Sequence, residues 1–542
     1  MKLPLIAMTA CVYAMFAGNA NAQLVTYMWP EQATFSDKYR LFVRYGQEPE
    51  REVQLLMSHA RYGGDYRANA LKGRTFSFAS VSFDGKNGPL KVRVEKKFGN
   101  ACRSVAISPR SYGIACQLAS GGNEVTFSID SPNRYISINF EEPDNQVQKL
   151  PWIKHMLCVF VDPLETDVPD PDGEGVVVYS KSVDPDVLKS ANTIYFPPGH
   201  HDLRDFAHDN IINADGQLKL QDKQALYLAG GAFVEGLVET ASKQFIRQRV
   251  YGRGLLTGRK TLWHNHPDHT GPQYRHILGL GHNGQVNGVT LIESPAHGIV
   301  GRRTKISNVK MLGWHCNNDC VRVGRGSEVS HSFFRGVDDH FYNFNIHVHD
   351  VVLWAGHNGA ILTYGWGGNK GDRTYNAGSS LLENIDIINP EWTGLGNNNG
   401  LVAAQVGLDF RPYGYGGKTT TILRNIRIEG SVPGLINLKP RTGRKSIIAV
   451  PVDPDQVGYL GDLLFDNILV DDQAGKSRIQ GKSEASTQDG KTFYIQNVHF
   501  RNLRIGGKLV TELNKRDYFE IDPDTSRDVT FTHSSKSELQ QR

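Results

Sequence analysis

The chain has 542 residues, 39% hydrophobic and 21% charged, and a formal charge of only +4. So small a charge gives no footing for nucleic acid or a membrane surface as partner, and the length predicts more than one domain. With 56 Gly, and with Val, Ile, Thr, Phe and Tyr in short bursts between Gly and Asn, the composition favours an all-β protein.

The first 22 residues read as a secretory signal. Lys2 is the charged start, Leu3 to Phe16 is mostly apolar, and Ala20-Asn21-Ala22 is an A-x-A-like cleavage site. The apolar run is too short to span a bilayer, so a secreted or periplasmic protein is expected. An oxidising compartment permits disulfides. Cys102 and Cys116 flank RSVAISPRSYGIA, read as a hairpin, and are expected to pair. Cys316 and Cys320, four apart, either pair or are small buried residues, and Cys158 in MLCVFV reads as a core thiol.

Residues 23–175 alternate apolar and polar in short runs such as TFSFASVSFDG, LKVRVEKKFG and YISINFEE, the pattern of a β-sandwich. The stretch LETDVPDPDGEG (164–175) is its closing linker. Beyond it, from 176 to 542, short strands punctuated by Gly give way to a repeat. NGVTL, SNVKM, SEVSH and HDVVL place Val289, Val309, Val329 and Val351 at steps of 20, 20 and 22, and ENIDI, RNIRI, DNILV, QNVHF and RNLRI follow. A period near 20 with a polar residue, often Asn, before Val-x-apolar predicts a parallel β-helix. The Asn suits left-handed turn positions and side-chain ladders.

The repeat gives meaning to three carboxylates. Asp319 lies ten residues after Val309, and Asp339 lies ten after Val329. In register, these two stack one rung apart, ~5 Å between Cα atoms. Asp338 reaches the same side only if the strand breaks beside it, and Gly336 makes room for that. Carboxylates so close repel, which raises at least one pKa. One protonated acid beside ionised bases is what glycosidic hydrolysis needs. A calcium site is the rival use of these oxygens, but no DxDxDG-type ligand set accompanies them. The His-rich WHNHPDH (263–269) has no partner motif for a metal, and no cofactor is expected. His347 and His349 read as a polar outer face.

The second half resembles glycoside hydrolase family 49, the dextranases and isopullulanases, and more distantly the polygalacturonase-type β-helix hydrolases. The likeness rests on IYFPPG (194–199), LYLAGGAFVEGLVE (226–239), YGRGLLTG (251–258), ESPAHGI (293–299), NND followed nineteen residues later by VDD, and WAGHNGAILTYGW (354–366). It implies a β-sandwich followed by a right-handed parallel β-helix. It also implies Asp338 as general acid and Asp319 with Asp339 activating water, with inversion. Substrate contacts are expected from His357 and Trp366 in the last segment, and from Trp314 and His340 beside the carboxylates. Lys439 and Arg441, on a later rung, are candidates for an anionic group. Cys320 after the first Asp, and His340-Phe341-Tyr342 after the pair, depart from the family's pattern. The expected partner is a polysaccharide, cut internally by a monomer.

Overall fold

The computed structural model describes residues 23–59, 73–208, 210–263, 265–266, 268–270, 275–363, 379–396, 398–404, 420–439, 460–483, 492 and 494–533. The signal segment 1–22, His264, Trp366 and Arg441 lie outside the described residues.

Two sheets of six and five strands face each other in the N-terminal part. Their inward residues, among them Leu41, Val43, Val81, Phe83, Val92, Val94, Ile136 and Val159, form one apolar core, as the alternation of buried and exposed positions in Leu90–Lys96 requires. The segment from Cys102 to Cys116 is not a hairpin. Ser104–Ser108 pairs with Arg134–Glu141 in the first sheet, whereas Cys116–Leu118 pairs with Glu124–Ile129 in the second. The chain crosses the sandwich between them, so the two cysteines are free thiols. Cys102 Sγ faces the Gly122 carbonyl and Cys116 Sγ the Val105 carbonyl. Cys316 and Cys320 are also free.

Val176–Val178 opens the second part by pairing in parallel with Thr193–Phe196. From there each turn of the chain lays three parallel strands on the turn before. Lys305–Ser307, Lys310–Leu312 and Val321–Val323 stack on Gln285–Asn287, Thr290–Ile292 and Ile299–Arg302. The third strands alone form an 11-stranded parallel sheet. A single apolar column, from Ile194 to Phe531, fills the interior. Between the first and second faces the chain turns on left-handed residues, Asn308 (φ 54), Asn384 (φ 55), Asn425 (φ 54) and Asn467 (φ 57). The last three form a ladder: Asn467 donates to Asn425 at 2.9 Å, and Asn425 to Asn384 at 3.2 Å.

One detail of the repeat is corrected. Val329 stacks on Ile306 in the first face, not on Val309, because Lys310 pairs with Phe333. The residue equivalent to Val309 is therefore Ser332, and the turn before it uses His331 (φ 43) in place of Asn. SEVSH imitates the repeat three residues early.

The sandwich packs against the second face. Phe76, Phe78, Met156 and Phe160 meet Phe233, Leu312, Phe333 and Trp354 in one cluster. Charges are buried there only in pairs. Arg74 forks onto Glu391 at 2.7 and 3.0 Å, Trp354 Nε1 donates to the same carboxylate at 3.0 Å, and Lys310 meets Asp162 at 2.7 Å.

Candidate active site

The third face carries the carboxylates. Val321 pairs with Phe341, and the amides of Cys320 and Val321 donate to the carbonyls of Asp339 and His340 at 3.0 Å each. Asp319 and Asp339 are thus register partners on adjacent rungs. The offset of twenty is right although the alignment that suggested it is not. The rung through Ser332 has fewer residues between the turn and the third face than the rung through Val309, and this cancels its later start. Asp338 joins them at a break. The strand Phe333–Gly336 ends just before it, and Val337 and Asp338 form a bend.

Each carboxylate is held by its own donors. Asp338 Oδ2 accepts from the Asn317 amide at 2.8 Å and from Asn358 Nδ2 at 2.6 Å, and its Oδ1 from the Asp339 amide at 3.0 Å. Asp339 Oδ1 accepts from the Ala360 amide at 2.8 Å and from Asn398 Nδ2 at 3.2 Å. Asn398 is itself fixed by donating to Thr363 Oγ1 at 2.7 Å. Asp319 Oδ2 accepts from the Tyr342 hydroxyl, and its Oδ1 lies 3.5 Å from His297 Nε2. The Asp319 loop is set by Asn318, which is wholly buried. Its Oδ1 accepts from the amides of Trp314 and His315, and its Nδ2 donates to the carbonyls of Ser294 and Ala296. Gly359 (φ 75) closes over the pair, and a Cβ there would come within 2.3 Å of the Asp338–Asp339 peptide.

Asp319 and Asp339 are buried and Asp338 is half-buried. Among the described residues no Lys or Arg stands at ion-pair distance from any of them; the only pairing is His297 with Asp319. Burial and mutual repulsion therefore govern their protons. Burial pushes Asp319 up to about 6, against the Tyr342 hydrogen bond, which favours the anion. Burial, then the Asp319 charge, pushes Asp338 up to about 7. Burial, then both neighbours, raises Asp339 well above the ordinary carboxylate range. The trio titrates as a unit, and it holds at least one proton near neutrality. His276 stacks on His297 at 5.0 Å, and burial keeps it neutral, with a pKa of about 3.

The other expected contacts divide. Trp314 is buried, donates from Nε1 to Ser58 Oγ at 2.8 Å and lies under the Arg335 guanidinium, inside the domain interface. His357 stacks on Trp152 of the sandwich, centroids 5.4 Å apart. His340 is buried with its ring against Gly336, where a Cβ would come within 3.1 Å of it. Trp314 and His357 are packing residues, because the side chains that cover them belong to the protein. Lys439 is exposed, just beyond the third-face strand Ile436–Leu438. No role for Tyr342, His297, Asn358 or Asn398 is legible in the sequence, because each acts on a partner one rung or one loop away. No group of metal-ligating residues occurs among the described residues, and none of their helices is long and apolar enough to cross a membrane.

No family model matches the chain. An isopullulanase from Aspergillus niger is 22% identical over 397 residues, 64% of this chain and 66% of that protein. A dextranase from Arthrobacter sp. (strain CB-8) is 25% identical over 222 residues, 36% of this chain and 33% of that protein. The chain therefore spans just under two thirds of the first relative and a third of the second. Among solved structures, Dex49A from Penicillium minioluteum shares the fold with a TM-score of 0.69 at 16% identity, over 96% of this chain and 98% of that one. By sequence and by fold, the chain is a relative of the family 49 glycoside hydrolases, the dextranases and isopullulanases.

Proposed function

We propose that this protein is a glycoside hydrolase that cuts internal bonds of an α-linked polysaccharide by single displacement, with inversion at the anomeric carbon. The observation that carries the reading is the meeting of three carboxylates on one face, two of them buried and one half-buried, with no Lys or Arg among the described residues at ion-pair distance. Such a site is costly to fold, and raised carboxylate pKa values are the mark of sites that exchange protons. Asp338, the most accessible of the three and poised near neutrality, donates its proton to the leaving glycosidic oxygen. Asp319, with the lower pKa and a hydroxyl donor holding its anion, is the member of the remaining pair that is ionised at working pH. It takes the proton of a water that Asp339 helps to orient.

Dextran and pullulan are the reference substrates, from the activities for which the relatives are named. Release of reducing ends by the wild-type protein and its loss in Asp338→Asn support the reading. Proton NMR of the first product gives the anomer. An unaltered rate in Asp338→Asn, or a product that keeps the substrate's configuration, contradicts it. The composition of residues 1–22 supports export, and a mature chain beginning at Gln23 is the expected result of N-terminal sequencing.

A further inference from the structure

On the third face Arg322 is a cation whose role the hydrolytic mechanism leaves open. Arg322 points outward from Val321–Val323, its register neighbours being Val300 before it and Tyr342 after it. Before Val300 comes Gly279, so the surface leading to Arg322 is small and apolar. The guanidinium carbon lies 5.3 Å from the Tyr342 ring centroid. Its charge is felt by Asp319 and by Tyr342, which places it beside the base of the trio. Among the described residues its N–H donors meet no acceptor at hydrogen-bond distance and no carboxylate at ion-pair distance.

Other arginines of the fold do meet carboxylates. Arg74 forks onto Glu391, Arg427 onto Asp386 and Arg501 onto Asp466. A half-buried guanidinium with only a ring face beside it keeps its N–H donors unmatched by any acceptor among the described residues. If Arg322 served only to hold Asp319 ionised, closer approach would serve better. Instead Asp319 takes its direct contacts from Tyr342 and His297. The three carboxylates also repel any anion entering the cleft. A neutral sugar needs no cation there, whereas an acidic one does.

We propose that Arg322 binds an anionic substituent, a uronate carboxylate or a sulfate ester, on the sugar unit held beside Asp319. The substrate is then an acidic α-linked glycan rather than a plain glucan. The planar guanidinium offers paired donors to either oxyanion. This assignment rests on the hydrolase reading for the location of the cleft, but it is tested by binding alone.

The experiment uses full-length Asp338→Asn protein, so that bound oligosaccharides persist. Calorimetry compares oligogalacturonides, sulfated galactan oligosaccharides and neutral isomaltooligosaccharides of matched length. The expected result is binding of one acidic class about tenfold or more tighter than the neutral set, weakening with added salt. Which acidic class binds identifies the substituent. Adding Arg322→Gln removes that preference while neutral binding stays as it was, and Arg322→Lys restores part of it. The proposal is overturned if neutral oligosaccharides bind as well as acidic ones, if no acidic class binds, or if Arg322→Gln weakens both classes equally. Acidic binding through Arg322, with no reducing ends released by wild type from any of these glycans, refutes the hydrolase and leaves the anion site. Hydrolysis of dextran without acidic preference does the reverse.

Discussion

The molecule buries carboxylates in two places and treats them in opposite ways. At the domain interface, Glu391 sits between Arg74 and Arg335 and accepts from Trp354. Although burial opposes it, the two guanidinium charges hold its pKa down at about 2. On the third face, Asp319 and Asp339 are buried beside the half-buried Asp338, and the pKa values of all three rise. Burial is common to both. The sign of the neighbour decides whether a buried acid becomes a fixed strut or a group that exchanges protons at working pH.

The largest effect is expected from removing the proton donor. Asp338→Asn is expected to lower kcat about a thousandfold or more, measured as reducing ends released. The same variant sharpens the comparison through stability. An acid whose folded pKa is raised costs stability once pH exceeds its unfolded value, and the cost is complete above the folded value of about 7. Thermal melts of Asp338→Asn should therefore lie above wild type by about a degree or more at pH 8. The gain should vanish at pH 3, where the wild-type trio is protonated.

The interface acid has the opposite sign. Glu391→Gln leaves Arg74 and Arg335 buried without their countercharge, and should cost about 3–5 kcal/mol by denaturant unfolding at pH 7. Since the folded pKa is depressed, the contribution of Glu391 is present above its unfolded value. It is lost as pH falls toward about 2. The penalty of Glu391→Gln should shrink accordingly in acid. Equal penalties at pH 7 and pH 3 would break the comparison.

A smaller effect is expected at Tyr342. Its hydroxyl stabilises the anionic form of Asp319, so Tyr342→Phe should lower kcat/KM about tenfold. It should also move the acidic limb of the pH–rate profile to higher pH. A lower rate with an unmoved limb would mean that the tyrosine only fills space.

The sequence exposed the stacking of the carboxylates because the third-face strands keep a constant register across the two rungs that matter. It exposed the Asn ladder because left-handed turns select Asn. It misplaced Val329 because a three-residue shift produces another polar-Val-polar run, and the turn residue that resolves the matter is His331, not Asn. Trp314 and His357 looked like substrate contacts because periodicity along one chain says nothing of what covers a face. Here Ser58 and Trp152, distant in sequence, cover them. Cys102 and Cys116 looked bridged because the intervening turn hides a crossing between sheets. Tyr342 was visible only as a departure from a family pattern. Its chemistry depends on Asp319, one rung back.

The measurement that bears most directly on the central contrast is the pH dependence of kcat/KM for the wild-type protein on its best glycan. The expected profile is a bell. Activity falls below about pH 6 as Asp319 takes up a proton, and falls above about pH 7 as Asp338 loses its own. A rate that stays level from pH 4 to pH 9 would show that the buried carboxylates carry no working proton, and would contradict it.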